Sequence, residues 1–282
     1  MNGRTDLALE AAEELGEIPG IRREVFRRGT AAVTRILVET EEAAARLQKP
    51  RGRYVTVEVP PLTDDEKALR EQAAGVAEEL AALLPETGPV LVAGLGNPAI
   101  TPDAVGPQAA DMVLATRHLQ GEWARSMGLE DLRSVAVIRA GVLGRTGVES
   151  SELVGAVCRA LRPAAVIAVD ALAARSLARL GRTVQLCDGG IAPGSGVGNR
   201  RLPLDRASLG APVIGMGVPT VVDAAAVLEN FGASAPKEAE TMMVTSREVD
   251  LMVRRAARLV ALAINGALQP GYDPLDLASA AT

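Results

Sequence analysis

The sequence predicts an α/β protein: a mostly parallel central sheet with helices on both faces, plus a small N-terminal hairpin. Three observations predict it. Strand-like and helix-like segments alternate from residue 90 onward, the order of parallel strands joined by crossover helices. The runs 165–169 and 213–218 are almost continuously apolar, as strands covered on both faces are. Residues 33–40 and 53–59 alternate apolar and polar, as half-buried strands paired with each other do.

The elements follow in order. Residues 6–16 are helix-like, with Leu7, Leu9 and Leu15 among Ala and Glu, and Gly16 stops the run. The two alternating strands come next, joined through a Lys/Pro/Arg/Gly stretch at 49–52. Pro60 and Pro61 end the second strand, and Thr63 or Asp64 caps a helix reaching about Leu84. Val90 to Ala93 form the first central strand and enter a Gly/Pro-rich turn. A helix over 104–118 follows. Further strands are expected at 135–139, 165–169, 184–187 and 213–218, and helices at 149–161, 171–180, 221–230 and 246–268. Residues 232–240 form an exposed loop.

Composition narrows the class. Hydrophobic residues make up 48% of the 282 and aromatics only 2%, so the core is aliphatic and rich in alanine. Net charge is −5 with no basic block, which argues against nucleic acid as a partner. Cys158 and Cys187 have no metal-type spacing and read as free thiols of a reducing cytoplasm. No targeting signal opens the chain, and no apolar run approaches the ~20 residues of a membrane helix.

The chemistry falls to carboxylates, because the chain has one histidine, His118, and no Gly-x-Ser-x-Gly elbow. His118 reads as a helix-end residue. Asp103, in Thr101-Pro102-Asp103, and Asp170, after Val166-Ile167-Ala168-Val169, each follow an apolar strand and precede a helix start. Sites in α/β sheets gather at such strand ends. Two carboxyls brought together there can share a proton, activate water or hold a metal. The other reading of both is structural: Asp103 at a helix terminus, and Asp170 as the cap of helix 171–180. Glu149, Arg175 and Asn97 are auxiliary candidates. Thr220 reads as a helix cap, and Asp223 as a carboxylate serving the same helix end. The glycine-rich stretch 190–200, with Gly194, Ser195, Gly196, Gly198 and Asn199, suits a lid or a cleft for extended peptide. The turn Gly94-Leu95-Gly96-Asn97 lacks the third glycine of a dinucleotide fingerprint. A nucleotide or small ligand bound there is one alternative function, and a metal-assisted peptidase using the same acids is another.

Taken together these strings resemble the germination protease family of spore-forming bacteria. The pieces that carry the resemblance are Arg4-Thr5-Asp6-Leu7-Ala8, Gly94-Leu95-Gly96-Asn97 with Thr101-Pro102-Asp103-Ala104-Val105-Gly106-Pro107, and Thr116-Arg117-His118-Leu119. Thr146-Gly147-Val148-Glu149, Asp170-Ala171-Leu172-Ala173-Ala174-Arg175-Ser176, Pro193-Gly194-Ser195-Gly196-Val197-Gly198-Asn199 and Gly217-Val218-Pro219-Thr220 follow in family order. The resemblance implies an endopeptidase that starts the degradation of small acid-soluble spore proteins at germination. It implies a homotetrameric zymogen in the cytoplasm of the forespore and spore core, and a fold like that of hydrogenase maturation proteases. It assigns catalysis to Asp103 and Asp170 as an acid-type pair and, through the family's earlier grouping with metallopeptidases, keeps a metal open; no cofactor is expected. It places autocatalytic processing between Asp6 and Leu7, so that residues 1–6 are a short propeptide and 7–282 one protease domain.

Overall fold

In a computed structural model, residues 5–119, 121–126, 129, 131–194 and 202–281 are described. The chain runs α1 (Ala8–Leu15), β1 (Ile21–Arg28), β2 (Ala31–Val38), α2 (Glu41–Leu47), β3 (Gly52–Glu58) and α3 (Glu66–Ala81). It continues through β4 (Val90–Leu95), α4 (Val105–Asp111), α5 (Gly121–Ser126), β5 (Val135–Gly141), α6 (Leu143–Thr146) and α7 (Ser150–Leu161). It ends with β6 (Ala165–Ala174), β7 (Thr183–Cys187), α8 (Arg206–Leu209), β8 (Val213–Asp223), α9 (Ala224–Asn230), β9 (Met243–Val244), α10 (Val249–Leu268) and α11 (Pro274–Ala281).

Among the described residues, all nine strands join one sheet in the order β1-β2-β3-β7-β8-β6-β4-β5, with β9 beside β8. The expected parallel core is β8-β6-β4-β5. The expected pair, β2 with β3, is antiparallel, but α2 lies between them, the hairpin is β1 with β2, and the unit does not stand apart. It extends the sheet through antiparallel pairing of β3 with β7 and β7 with β8.

Alternation of side chains sorts the core into layers. On one face Val33, Val55, Ile167, Val169, Ile214 and Met216 pack under α3, α4 and α10. Leu69, Val76 and Leu80 of α3, and Val260 and Ile264 of α10, are fully buried there. Fully burying one such side chain is worth about 1.5–3 kcal/mol. Two patches cover most of the opposite face, beside a smaller one where Leu7 meets Leu172, Ala174 and Val222. Val154 and Cys158 of α7 and Leu209 of α8 cover Leu91, Ala93, Val166 and Ala168. Leu9 of α1 and Leu47 of α2 cover Ile36, Val38 and Tyr54. The space between the two patches lies over β8.

Besides unexpected short elements, among them α2, α5, β9 and α11, four segments differ from expectation. β1 has the sequence Ile-Arg-Arg-Glu-Val-Phe-Arg-Arg and is largely exposed, so it lacks the apolar face that announces a strand. It is held by pairing along all of β2, and Arg28 and Arg35 lie 5.5 and 4.6 Å from the centre of the Phe26 ring. The helix expected over 104–118 stops at Asp111. Beyond it the backbone turns to other partners: Asn265 of α10 takes the Leu114 N–H and Met112 carbonyl at 3.0 Å each, and Thr116 and Arg117 donate to Val135. This leaves His118 in an exposed turn. The helix expected at 171–180 is strand as far as Ala174, because Ala171 to Ala174 pair in order with β8. Helix 221–230 begins at Ala224, and Thr220 lies inside β8. Its cap is Asp223, whose Oδ1 accepts from the Ala226 N–H at 3.0 Å.

Candidate active site

Asp170 is the sixth residue of β6, not a helix cap. β4 pairs with β6 only as far as Gly94 opposite Val169. Asp170 is therefore the first residue of β6 beyond its neighbour on that side. Its side chain points with Val166 and Ala168, toward the face with the gap over β8. It is only 4% exposed, and one carboxyl oxygen accepts from the Ala171 N–H at 2.9 Å. A buried carboxylate is costly unless it is hydrogen-bonded.

In the sheet, Asp170 pairs with Gly217 of β8, and Gly217 pairs with Gln185 of β7. Paired residues share a face, so a carboxyl and a carboxamide flank a position with no side chain. These residues wall a cavity of about 320 Å³ that also meets Asp6, Lys49, Tyr54 and Cys187. Gly194 of the expected cleft loop lines it too. Ser195, Gly196, Gly198 and Asn199 lie outside the described residues.

Asp103 ends a 3-10 turn, Thr101–Asp103, between β4 and α4. This turn packs against β6, β8 and α10. Thr220 donates its hydroxyl to the Pro102 carbonyl at 2.6 Å, fixing the turn to β8. The Asp103 carboxyl accepts from the Asn97 N–H at 2.8 Å. Gly96 makes room for it with φ of +111°, and a Cβ there would meet the Asp103 carbonyl oxygen at 2.1 Å. Three residues past Asp103, Gly106 sits so close to the sheet that a Cβ would lie 2.4 Å from the Val169 carbonyl oxygen. The chain after Asp103 thus touches the peptide just before Asp170. Asp103 itself lies outside the cavity wall formed by Asp170.

The auxiliary candidates divide. Asn97 belongs with Asp103, and its own side-chain oxygen accepts from Ala99 N–H at 3.0 Å and Arg145 at 3.2 Å. The turn Gly94–Asn97 expected as a possible phosphate cradle therefore has an amide already given to a carboxylate. An anionic ligand there would meet like charge, which counts against the nucleotide reading. Arg175 forms ion pairs with Glu14 and Glu229 and so ties α1 and α9 to the end of β6. Glu149 precedes α7, where its N–H donates to Glu152 at 3.0 Å, a helix-start arrangement. Among the described residues no three His, Cys, Asp or Glu side chains are grouped as a metal site needs.

The most telling contacts involve the segment predicted for processing. Asp6 donates its N–H to Ala173 O at 2.9 Å, and its carboxyl accepts from Ala173 N at 2.9 Å. Its carbonyl accepts from Gln185 Nε2 at 2.8 Å. Leu7 is fully buried against Leu172, Ala174 and Val222. The Thr5 carbonyl accepts from Lys49 Nζ at 3.0 Å, and burial lowers the pKa of that ammonium. Glu10, 5% exposed, accepts from the Arg175 and Ser176 N–H groups. Gln185, Lys49 and Glu10 carry no motif and were not singled out from the sequence. The only signal was their polarity within otherwise ordinary strand, loop and helix.

Comparison with known proteins completes the picture. A family model described as germination protease matches residues 5–231. The chain is 37% identical to a germination protease of Clostridium tetani, over 99% of both chains. It is 38% identical to one from Caldanaerobacter subterraneus, over 97% of this chain and 96% of that one. A solved [NiFe] hydrogenase maturation protease, HycI from Thermococcus kodakarensis, is also similar, with 19% identity, a TM-score of 0.38, and coverage of 66% of this chain and 98% of that one. The chain belongs to the germination protease family.

Proposed function

We propose that this protein is an endopeptidase that cuts small acid-soluble spore proteins during germination, using Asp103 and Asp170 as an acid–base pair. We further propose that it cuts itself between Asp6 and Leu7. Family membership supports the peptidase role in spore germination. The observation that carries the site is Asp170, a buried carboxyl on the wall of a cavity along which the chain's own residue Asp6 is laid. Asp103 lies on the turn beside it, held by Asn97 and Thr220.

In this mechanism the two carboxyls carry one proton between them, as an acid–base pair must. The ionised member takes a proton from water as the water oxygen attacks the peptide carbon. The protonated member donates first toward the carbonyl oxygen and then to the leaving nitrogen. The C–N bond breaks to give a carboxyl and an amine.

The test uses Asp103→Asn and Asp170→Asn. Each is incubated with a small acid-soluble spore protein, and every fragment is identified by N-terminal sequencing. General acid–base catalysis contributes about 10²–10⁴-fold, so each variant should fall by at least the lower figure with unchanged thermal unfolding. Wild-type rates in either variant would remove that carboxyl from the mechanism. Cleavage by a chelator-treated sample, unchanged on metal addition, would retire the metal-assisted alternative.

A further inference from the structure

We infer that Gln185 is a catalytic residue: a carboxamide clamp that holds the peptide bond to be cut and donates to its carbonyl oxygen. This rests on the proposed cut between Asp6 and Leu7, and it names the residue that presents that bond.

The geometry brackets the bond from both sides. Gln185 Nε2 donates to the Asp6 carbonyl oxygen at 2.8 Å. Its Oε1 accepts from the Ala8 N–H at 2.7 Å. The orientation of the amide follows from its partners, because a backbone N–H only donates and a carbonyl only accepts. Between them, the Leu7 N–H donates to Thr5 Oγ1 at 3.0 Å. The carbonyl, the leaving nitrogen and the next amide are each held by a named group. Gln185 is 7% exposed, so its side chain is fixed by packing before any reaction. A donor aimed at an oxygen that gains charge in the transition state, in a site shielded from water, is the arrangement that speeds acyl transfer.

Its place in the sheet puts this donor opposite the carboxyl. Asp170 and Gln185 are separated only by Gly217, with which both pair. Neighbouring strands lie ~4.8 Å apart, so a peptide group and a water fit between the two side chains over that glycine. Any side chain at 217 would fill the slot. A Cβ there would lie 2.5 Å from the Asp170 carbonyl and 2.7 Å from Leu172 Cγ. The local pattern, Thr-Val-Gln-Leu-Cys, gives no other reason for a buried carboxamide on a central strand.

The experiment follows self-processing of the full chain by mass spectrometry over a pH series. It compares wild type with Gln185→Ala, Gln185→Glu, Asp103→Asn and Asp170→Asn. Loss of one oxyanion donor costs about 10²–10³-fold in rate, and Q185A should lose that much. Q185E keeps the shape of glutamine, so it carries the test if Q185A does not fold. As a carboxylate it has no proton for the Asp6 oxygen and should be equally slow near neutral pH. On acidification it gains a donor, and its rate should climb toward wild type along a limb that wild type lacks. Q185A and Q185E cutting at wild-type rates across the series would overturn the clamp. A wild-type chain left intact between Asp6 and Leu7 would overturn it also. Slow Q185 variants beside fully active Asp variants would leave the clamp standing and remove the acid–base pair.

Discussion

Replacing Gly106 by alanine tests how tightly the site is built into the fold. Gly106 lies in the first turn of α4, and an added Cβ would meet the Leu95 carbonyl oxygen at 2.2 Å and the Val169 carbonyl oxygen at 2.4 Å. A tolerable carbon–oxygen contact is about 3.3 Å, so α4 must lift from the sheet by roughly 1 Å. The obstructing atoms are backbone of two central strands and cannot rotate away. The cost therefore sits at the upper end of overpacking, about 3 kcal/mol. At about 2–4 °C per kcal/mol, thermal unfolding should fall by roughly 6–12 °C. The same lift carries Asp103, three residues upstream, away from β6. A misplacement of about 1 Å costs on the order of 10²-fold in rate. Gly144→Ala is the control, because nothing lies within 4 Å of its Cβ position. It should stay within ~1 kcal/mol of wild type. Differential scanning calorimetry and a spore-protein cleavage assay read both effects. If Gly106→Ala unfolds within 2 °C of wild type and keeps full activity, α4 does not press on the sheet as described.

Two other outcomes are expected. Thr220→Val removes the hydroxyl that holds the Pro102 carbonyl; it should cost about 1 kcal/mol and lower kcat more than it raises KM, because the loosened turn carries Asp103. Cys187 has its pKa pushed up to about 11, chiefly by burial and against a hydrogen bond from Gly189 N–H. Because the folded thiol holds its proton where the unfolded one has lost it, stability should fall between about pH 9 and about pH 11, by up to ~1.4 kcal/mol per pH unit. Urea titrations across that window check the slope, and slow alkylation of native Cys187 at pH 8 checks the thiol.

Much of this architecture was legible because single residues spoke for themselves. The alternation in 33–40 and 53–59 marks the paired strands β2 and β3, and the apolar run at 165–169 marks a covered strand. The differences have distinct physical causes. Ala-Leu-Ala-Ala after Asp170 favours helix locally, yet pairing with β8 keeps it extended, since tertiary contacts override weak propensity. The same extension hid Thr220 inside β8. β1 was invisible because its arginines face water on the sheet edge, where charge discourages further strand addition. Asp103 and Asp170 stand out in sequence as strand-end carboxylates, and their proposed role comes from the resemblance. The meaning of Gln185 and Lys49 depends on a segment that lies 179 and 44 residues away from them in sequence.

That separation dictates an order of events during synthesis. Residues 5–10 leave the ribosome 165 to 179 residues ahead of four of their seats, Ala173, Arg175, Ser176 and Gln185. Before β7 emerges, Leu9 can already pack on Ile36, Val38 and Leu47 and Thr5 can meet Lys49, but the Asp6 carbonyl lacks the Gln185 amide. Any cut between Asp6 and Leu7 made by this clamp must therefore follow completion of β7, and a nascent chain shorter than that is safe from its own chemistry.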